Sequence, residues 1–148
     1  MPDYSALQPG ETVDWVPVGQ IDYIWAGKPG TNHPEIVGWY NQFEEFLRRE
    51  DFRATPTAHT AHSRRMRGYL WDQAKKVYMD MKTEMRNKGS SCIMDGMRNP
   101  LRVILMPKGD LYLPRMGNQR LCVLRAWNYG DPPCSCHDGL VPCVVLPK

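Results

Sequence analysis

The sequence predicts an α+β fold, a small mixed sheet with packed helices, and three observations carry that expectation. Apolar residues recur at helical spacing over 34–50 and again over 63–88. Short β-branched and aromatic runs bounded by turn residues flank those stretches, at 13–18, 101–105, 111–113 and 141–146. The 148 residues, 42% hydrophobic and 24% charged, suit a single domain over 1–148 and exclude a large multidomain enzyme or a disordered tail.

Each element has a local reason. Residues 1–12 are a polar lead-in. The run 13–18 reads as a strand, with Pro17 favouring a sheet edge or a bulge, and Ile21 and Ile24 continue its pattern. The stretch 26–32 is a turn-rich loop. Pro34 suits a first helical position, and Ile36, Trp39, Tyr40, Phe43, Phe46 and Leu47 then build one apolar stripe ending near Glu50. After a polar connector at 51–62, Ser63 caps a second helix carrying Met66, Leu70, Ala74, Val77, Tyr78, Met81 and Met85, with Gly89 at its end. The runs 101–105 and 111–113 form a hairpin about a turn at 107–110. Gly117 precedes a third helix capped by Asn118, with Leu121, Leu124 and Trp127 inward and Gly130 at the far end; 141–146 is the last strand.

Charge is unevenly spread. Residues 1–47 carry seven acids and one lysine, a balance of −6, and residues 48–148 carry eighteen basic residues and nine acids, a balance of +9. That asymmetry is compatible with an anionic partner or a solvated basic face. The densest basic cluster, Arg48, Arg49, Arg64, Arg65 and Arg67 with Arg53, is the candidate DNA-binding surface; basic residues at a helix start oppose the macrodipole, so helix stability does not explain them. No membrane partner is expected, because no run of about 18 apolar residues occurs, and no signal peptide is seen. Five cysteines without the spacing of a disulfide framework point to free thiols and a cytoplasmic location.

The most informative stretch is Arg115-Met116-Gly117-Asn118-Gln119-Arg120, at the junction from hairpin to helix. A helix start offers unpaired N–H groups to an anion, Gly117 admits a close approach to the backbone, and Arg120 can present paired donors to phosphate. Taken alone, Gly-x-x-Arg is also what a turn glycine and a surface arginine produce.

The order Gly96-Met97-Arg98-Asn99-Pro100-Leu101-Arg102-Val103, then Gly109-Asp110, Gly117-Asn118-Gln119-Arg120, Leu124, Ala126 and Val141-Pro142-Cys143-Val144-Val145 resembles the ParB/sulfiredoxin superfamily over 96–146. Upstream the element order is compatible, with a longer helical region. The resemblance implies a ParB-like nucleotide-binding domain in which Gly117, Asn118, Gln119 and Arg120 meet the phosphates of a nucleoside triphosphate, CTP or ATP with Mg2+, beside a wall that includes Gly96 and Pro100. The loop at 27–31 lies where such proteins place another phosphate-contacting segment but does not match its pattern, and Lys28 reads as a solvated lysine. Sulfiredoxin chemistry is not expected, because Asn118 stands where its catalytic cysteine would fall and Gln119 where its histidine would; Cys122 reads as a core thiol. The helix-turn-helix and dimerisation regions of partition proteins do not follow, so the expectation is a stand-alone domain of a kind suited to a phage or mobile element.

The resemblance links such domains to nucleotide hydrolysis, to phosphoryl transfer, or to a metal-dependent nuclease activity. A non-catalytic DNA- or protein-binding module with a degenerate pocket is the alternative. The candidate catalytic carboxylate is Asp95; Asp110 reads as a turn former. Cys134, Cys136, His137 and Cys143 offer soft ligands at poor spacing, and His59 and His62 lie in an irregular connector, so no metal site is expected from either set.

Overall fold

Residues 7–23, 34–58, 60–105, 111–112, 117–130 and 136–146 are described in the computed structural model. They form a mixed α+β fold with three helices and one five-stranded mixed sheet. The strands are β1 (Asp14–Pro17), β2 (Ile21–Asp22), β3 (Leu101–Leu105), β4 (Leu111–Tyr112) and β5 (Leu140–Leu146), in the spatial order β1-β5-β3-β4-β2. β5 runs antiparallel to β1, with Trp15 opposite Pro142, and parallel to β3, with Val103 opposite Val145. β3 and β4 are the expected antiparallel hairpin; its turn at 107–110 lies outside the described residues. Pro17 falls on an edge strand, the place in a sheet where a missing N–H is tolerated.

Ile21 does not extend β1. A 3-10 turn at Val18–Gln20 intervenes, and Ile21 pairs with Leu111 at the opposite edge of the sheet. Ile24 lies outside the described residues. The four peptide steps from Pro17 to Ile21 span at most about 15 Å, whereas four strand spacings in a flat sheet need about 19 Å. The sheet therefore curls until its edges approach one another.

The helices are α1 (Pro34–Arg48), α2 (Ala61–Asn87) and α3 (Asn118–Ala126). The α1 stripe is as expected: Ile36, Trp39, Tyr40, Phe43 and Leu47 are buried and Phe46 half-buried. Trp71 of α2 stacks on Phe43 at 5.1 Å between ring centroids and meets Phe46 at 5.7 Å. Its Nε1 donates to the Ala54 carbonyl at 3.0 Å, while Lys75 and Arg67 donate to the carbonyls of Phe52 and Pro56. These three side chains, one helical turn apart, tie the polar connector to α2.

Two caps differ from expectation. Thr60, not Ser63, caps α2: Ser63 N–H donates to Thr60 Oγ1 at 3.0 Å, and Ser63 Oγ accepts from Thr60 N–H at 3.3 Å, filling the place a Glu or Gln takes in a capping box. Gly117, not Asn118, caps α3, and Asn118 is the first helical residue, buried at 3% exposure. All three helices close with paired 6→1 and 5→2 backbone bonds around a left-handed residue: Glu50 (φ 53°), Gly89 (φ 66°) and Asn128 (φ 53°). Gly89 does what was expected of it, while Asn128 takes the role expected of Gly130.

α3 is buried on nearly every face by Leu121, Cys122, Val123, Leu124 and Ala126, and it packs against both α1 and α2. Arg125, near its end, donates to the Ile21 carbonyl, lies 3.2 Å from Asp22 Oδ1 and covers the Tyr23 ring, which fixes β2 at the sheet edge. Among the described residues no helix is long and apolar enough to cross a membrane.

The expectation of free thiols holds only in part. Cys122 and Cys143 are free and buried, whereas Cys92 is disulfide-bonded. Burial pushes the Cys143 thiol up to about 12 and the Cys122 thiol well above its ordinary range, so neither is a thiolate at neutral pH.

Candidate functional site

The first turn of α3 and the segment leading into β3 come together, although they are distant in sequence. Gly117 caps α3 without a side-chain hydrogen bond, and Arg120 stands three positions in. Arg120 Nη1 donates to the Asn99 carbonyl at 2.6 Å and to the Pro100 carbonyl at 3.4 Å. An arginine has five N–H donors; among the described residues Nε and Nη2 meet no acceptor, and no carboxylate pairs with this cation. Burial lowers the Arg120 pKa from its ordinary value, Cys143 opposes that and Arg102 adds to it, and the group stays charged. Arg102 is itself satisfied by a two-pronged pair with Glu11, Nη2 to Oε1 at 2.7 Å.

The other residues expected here have different placements. Gly96 is buried in a 3-10 turn (Ile93–Gly96), and a Cβ there would stand 2.1 Å from the Met81 carbonyl oxygen of α2. It is the point where this turn meets the helix, so its lack of a side chain serves packing. Pro100 is buried, and Gln119 is half-exposed. Lys28, Asp110 and the loop at 27–31 lie outside the described residues.

Asp95, one residue before Gly96, belongs to a separate cluster. Ser90 Oγ donates to its Oδ2 at 2.6 Å, and His137 Nε2 lies 3.4 Å from its Oδ1. Burial pushes the Asp95 pKa up, but the Ser90 hydrogen bond and nearby positive charge, His137 included, outweigh it and leave the pKa lowered. A carboxylate held ionised in this way is a poor proton acceptor at neutral pH and a good partner for a cation. The Cys92 sulfur completes the group: the ligand atoms of Cys92, Asp95 and His137 all lie within 4.8 Å of one another.

His137 is held on an unusual backbone. It and Asp138 both have φ of 54°, a left-handed conformation that costs about 1–3 kcal/mol for each non-glycine residue. Its ring stacks on Trp15 at 5.7 Å. Of the soft-ligand set considered from sequence, His137 turns to Asp95, and Cys143 lies in β5 with its Sγ on the Val141 carbonyl. The side chains of Cys134 and Cys136 lie outside the described residues, as does His59, and His62 is exposed. Nothing in the sequence pairs residues 95 and 137, which are 42 positions apart; the only local hint is the 92–95 spacing of one helical turn.

The arginines of the basic cluster differ in their partners. Arg48 and Arg49 share Glu45 at 2.9 and 3.5 Å, and Arg48 also reaches the Arg125 carbonyl at the end of α3. Arg67 holds the connector. Arg64 and Arg65 are exposed in the first turn of α2 and have no ion pair among the described residues.

Comparison with protein-family models finds no match to this sequence, and comparisons with curated proteins and with solved structures find none either.

Proposed function

We propose that the protein binds a nucleoside triphosphate, CTP or ATP with Mg2+, at the first turn of α3, and uses it for hydrolysis or phosphoryl transfer. The observation that carries this reading is Arg120, a cation held in place by the Asn99 and Pro100 carbonyls with no carboxylate to neutralise it among the described residues. The positive end of α3 and the side-chain-free cap at Gly117 add to the same field. Asn118 and Gln119 supply backbone N–H groups of that turn, and Pro100 joins Arg120 to the neighbouring wall. Mg2+ would neutralise the phosphates; Asp95 sits in the separate cluster with Ser90 and His137 and has no role in this reading.

The test is calorimetry with CTP, ATP, ADP and GTP, with and without Mg2+, on wild type and Arg120→Ala, alongside circular dichroism of both. Micromolar binding to wild type that is lost in a folded Arg120→Ala protein supports the reading. Wild type that binds none of the four overturns it.

A second reading, a DNA-binding module, is favoured by one observation: Arg64 and Arg65 are both exposed and have no ion pair among the described residues. Salt-dependent binding to duplex DNA that falls in Arg64→Ala/Arg65→Ala and persists in Arg120→Ala would favour it.

A further inference from the structure

We infer that Cys92, Asp95 and His137 form a redox-gated site for a borderline-soft divalent cation of the zinc class. This inference is independent of the nucleotide reading, since it uses neither Gly117 nor Arg120.

The geometry is that of co-ligation. His137 Nε2 and Asp95 Oδ1 are 3.4 Å apart, long for a charge-assisted hydrogen bond of about 2.7–2.9 Å. Two ligands each about 2.0 Å from a tetrahedral zinc stand about 3.3 Å apart. The Cys92 sulfur is within 4.8 Å of both atoms. The surroundings are those of a supported metal ligand set. Ser90 Oγ occupies Asp95 Oδ2 and itself accepts from the Cys92 backbone N–H at 3.0 Å, which turns Oδ1 toward His137. The stack on Trp15 and the left-handed backbone at 137 and 138 fix the imidazole from the other side. One sulfur, one nitrogen and one carboxylate oxygen make a donor set suited to zinc and poorly suited to magnesium or calcium.

The gate is the disulfide at Cys92. While that bond stands, the sulfur carries no thiolate charge. An S–S bond that takes up two electrons and two protons opens to two thiols: a dithiol supplies them as it closes to its own disulfide, and a phosphine with one water supplies them as it becomes the phosphine oxide. The cation then displaces the Cys92 thiol proton to solvent and binds the thiolate together with Asp95 and His137.

The experiment titrates the full chain with Co2+ and then Zn2+, in oxidised form and after reduction with tris(2-carboxyethyl)phosphine. The readouts are the thiolate-to-cobalt charge-transfer band and zinc retained through gel filtration. Reduced protein is expected to bind one equivalent with the band. Oxidised protein is expected to bind at least about tenfold more weakly and without the band. Cys92→Ser should lose the band, and His137→Gln and Asp95→Asn should each weaken binding by about tenfold or more. Asp95→Asn keeps an oxygen for Ser90, so it carries the test if His137→Gln does not fold. Reduced wild type without the band, or undiminished binding in Cys92→Ser or Asp95→Asn, would overturn the site.

Discussion

Lys82 Nζ lies 3.1 Å from Glu50 Oε1, joining the C-terminal part of α2 to the residue that ends α1. The lysine side chain is only 9% exposed and its ammonium lies 5.1 Å from the Tyr78 ring and 5.8 Å from the Trp127 ring, while Glu50 is 55% exposed. Glu50 also holds the left-handed position of the α1 terminus at φ 53° and accepts from Tyr78 OH at 3.4 Å. Glu50→Ala keeps the backbone cost and strands a buried ammonium, so a loss of about 2 kcal/mol is expected, reduced from the buried-pair range by the exposure of Glu50. Glu50→Gly relieves the backbone by about 1 kcal/mol and should lose correspondingly less. Lys82→Met, which fills the aromatic pocket without a charge, should be close to neutral. Urea denaturation of the three variants checks the ranking.

Gly96→Ala should destabilise the fold by about 3 kcal/mol, because its Cβ would meet the Met81 carbonyl oxygen at 2.1 Å and backbone cannot give way there as a flexible side chain can. The loss should appear in thermal unfolding. A variant as stable as wild type would mean that the turn and α2 do not pack this closely.

Two glutamates give stability opposite slopes with pH. The Arg102 guanidinium holds Glu11 at about 2, below its ordinary 4.5, so the stability from that pair is complete above pH 4.5 and is lost as pH falls toward 2. Burial raises Glu44 above 4.5 despite the hydrogen bond from Tyr23 OH at 2.7 Å, so its contribution is complete below 4.5 and declines as pH rises through the folded value. Glu11→Gln should flatten the acid limb of a stability–pH curve. Glu44→Gln should remove the decline above pH 4.5. Denaturation midpoints across the acid range separate the two.

Arg120 can be divided between holding and binding. Arg120→Ala loses hydrogen bonds to the Asn99 and Pro100 carbonyls and should cost about 1.5–3 kcal/mol. Arg120→Lys keeps a cation that can reach one carbonyl, and should recover most of that stability. Nucleotide affinity should stay low in Arg120→Lys, because a point charge does not replace the guanidinium fork. Equal recovery of stability and affinity would count against a forked contact.

What was legible in the sequence is what local chemistry determines. The α1 stripe, the hairpin partners and the edge position of Pro17 follow from periodicity and from a missing N–H. Ser63 was misplaced because a serine serves equally as a cap or as the third residue of a capping box, and only the hydroxyl at Thr60 decides between them. Glycine was expected to end α3, whereas Asn128 does so and Glu50 ends α1; tertiary contacts such as Lys82 can support a left-handed residue that propensity alone disfavours. The resemblance puts Gly96 in the wall of a nucleotide site, whereas the space its missing side chain leaves is filled by the Met81 carbonyl. The Cys92, Asp95 and His137 group was not legible, because its members meet only where the turn at 136–139 comes against the turn before β3.

The position of β5 between β1 and β3 has a consequence for how the chain is made. During synthesis β1 emerges first among the described strands, yet its ladder partner is the last of them to leave the ribosome. β3 likewise gains its parallel neighbour only then. A nascent chain that has already completed all three helices must therefore hold an open sheet until residues 140–146 insert, which places the sheet's closure after translation of every other described element.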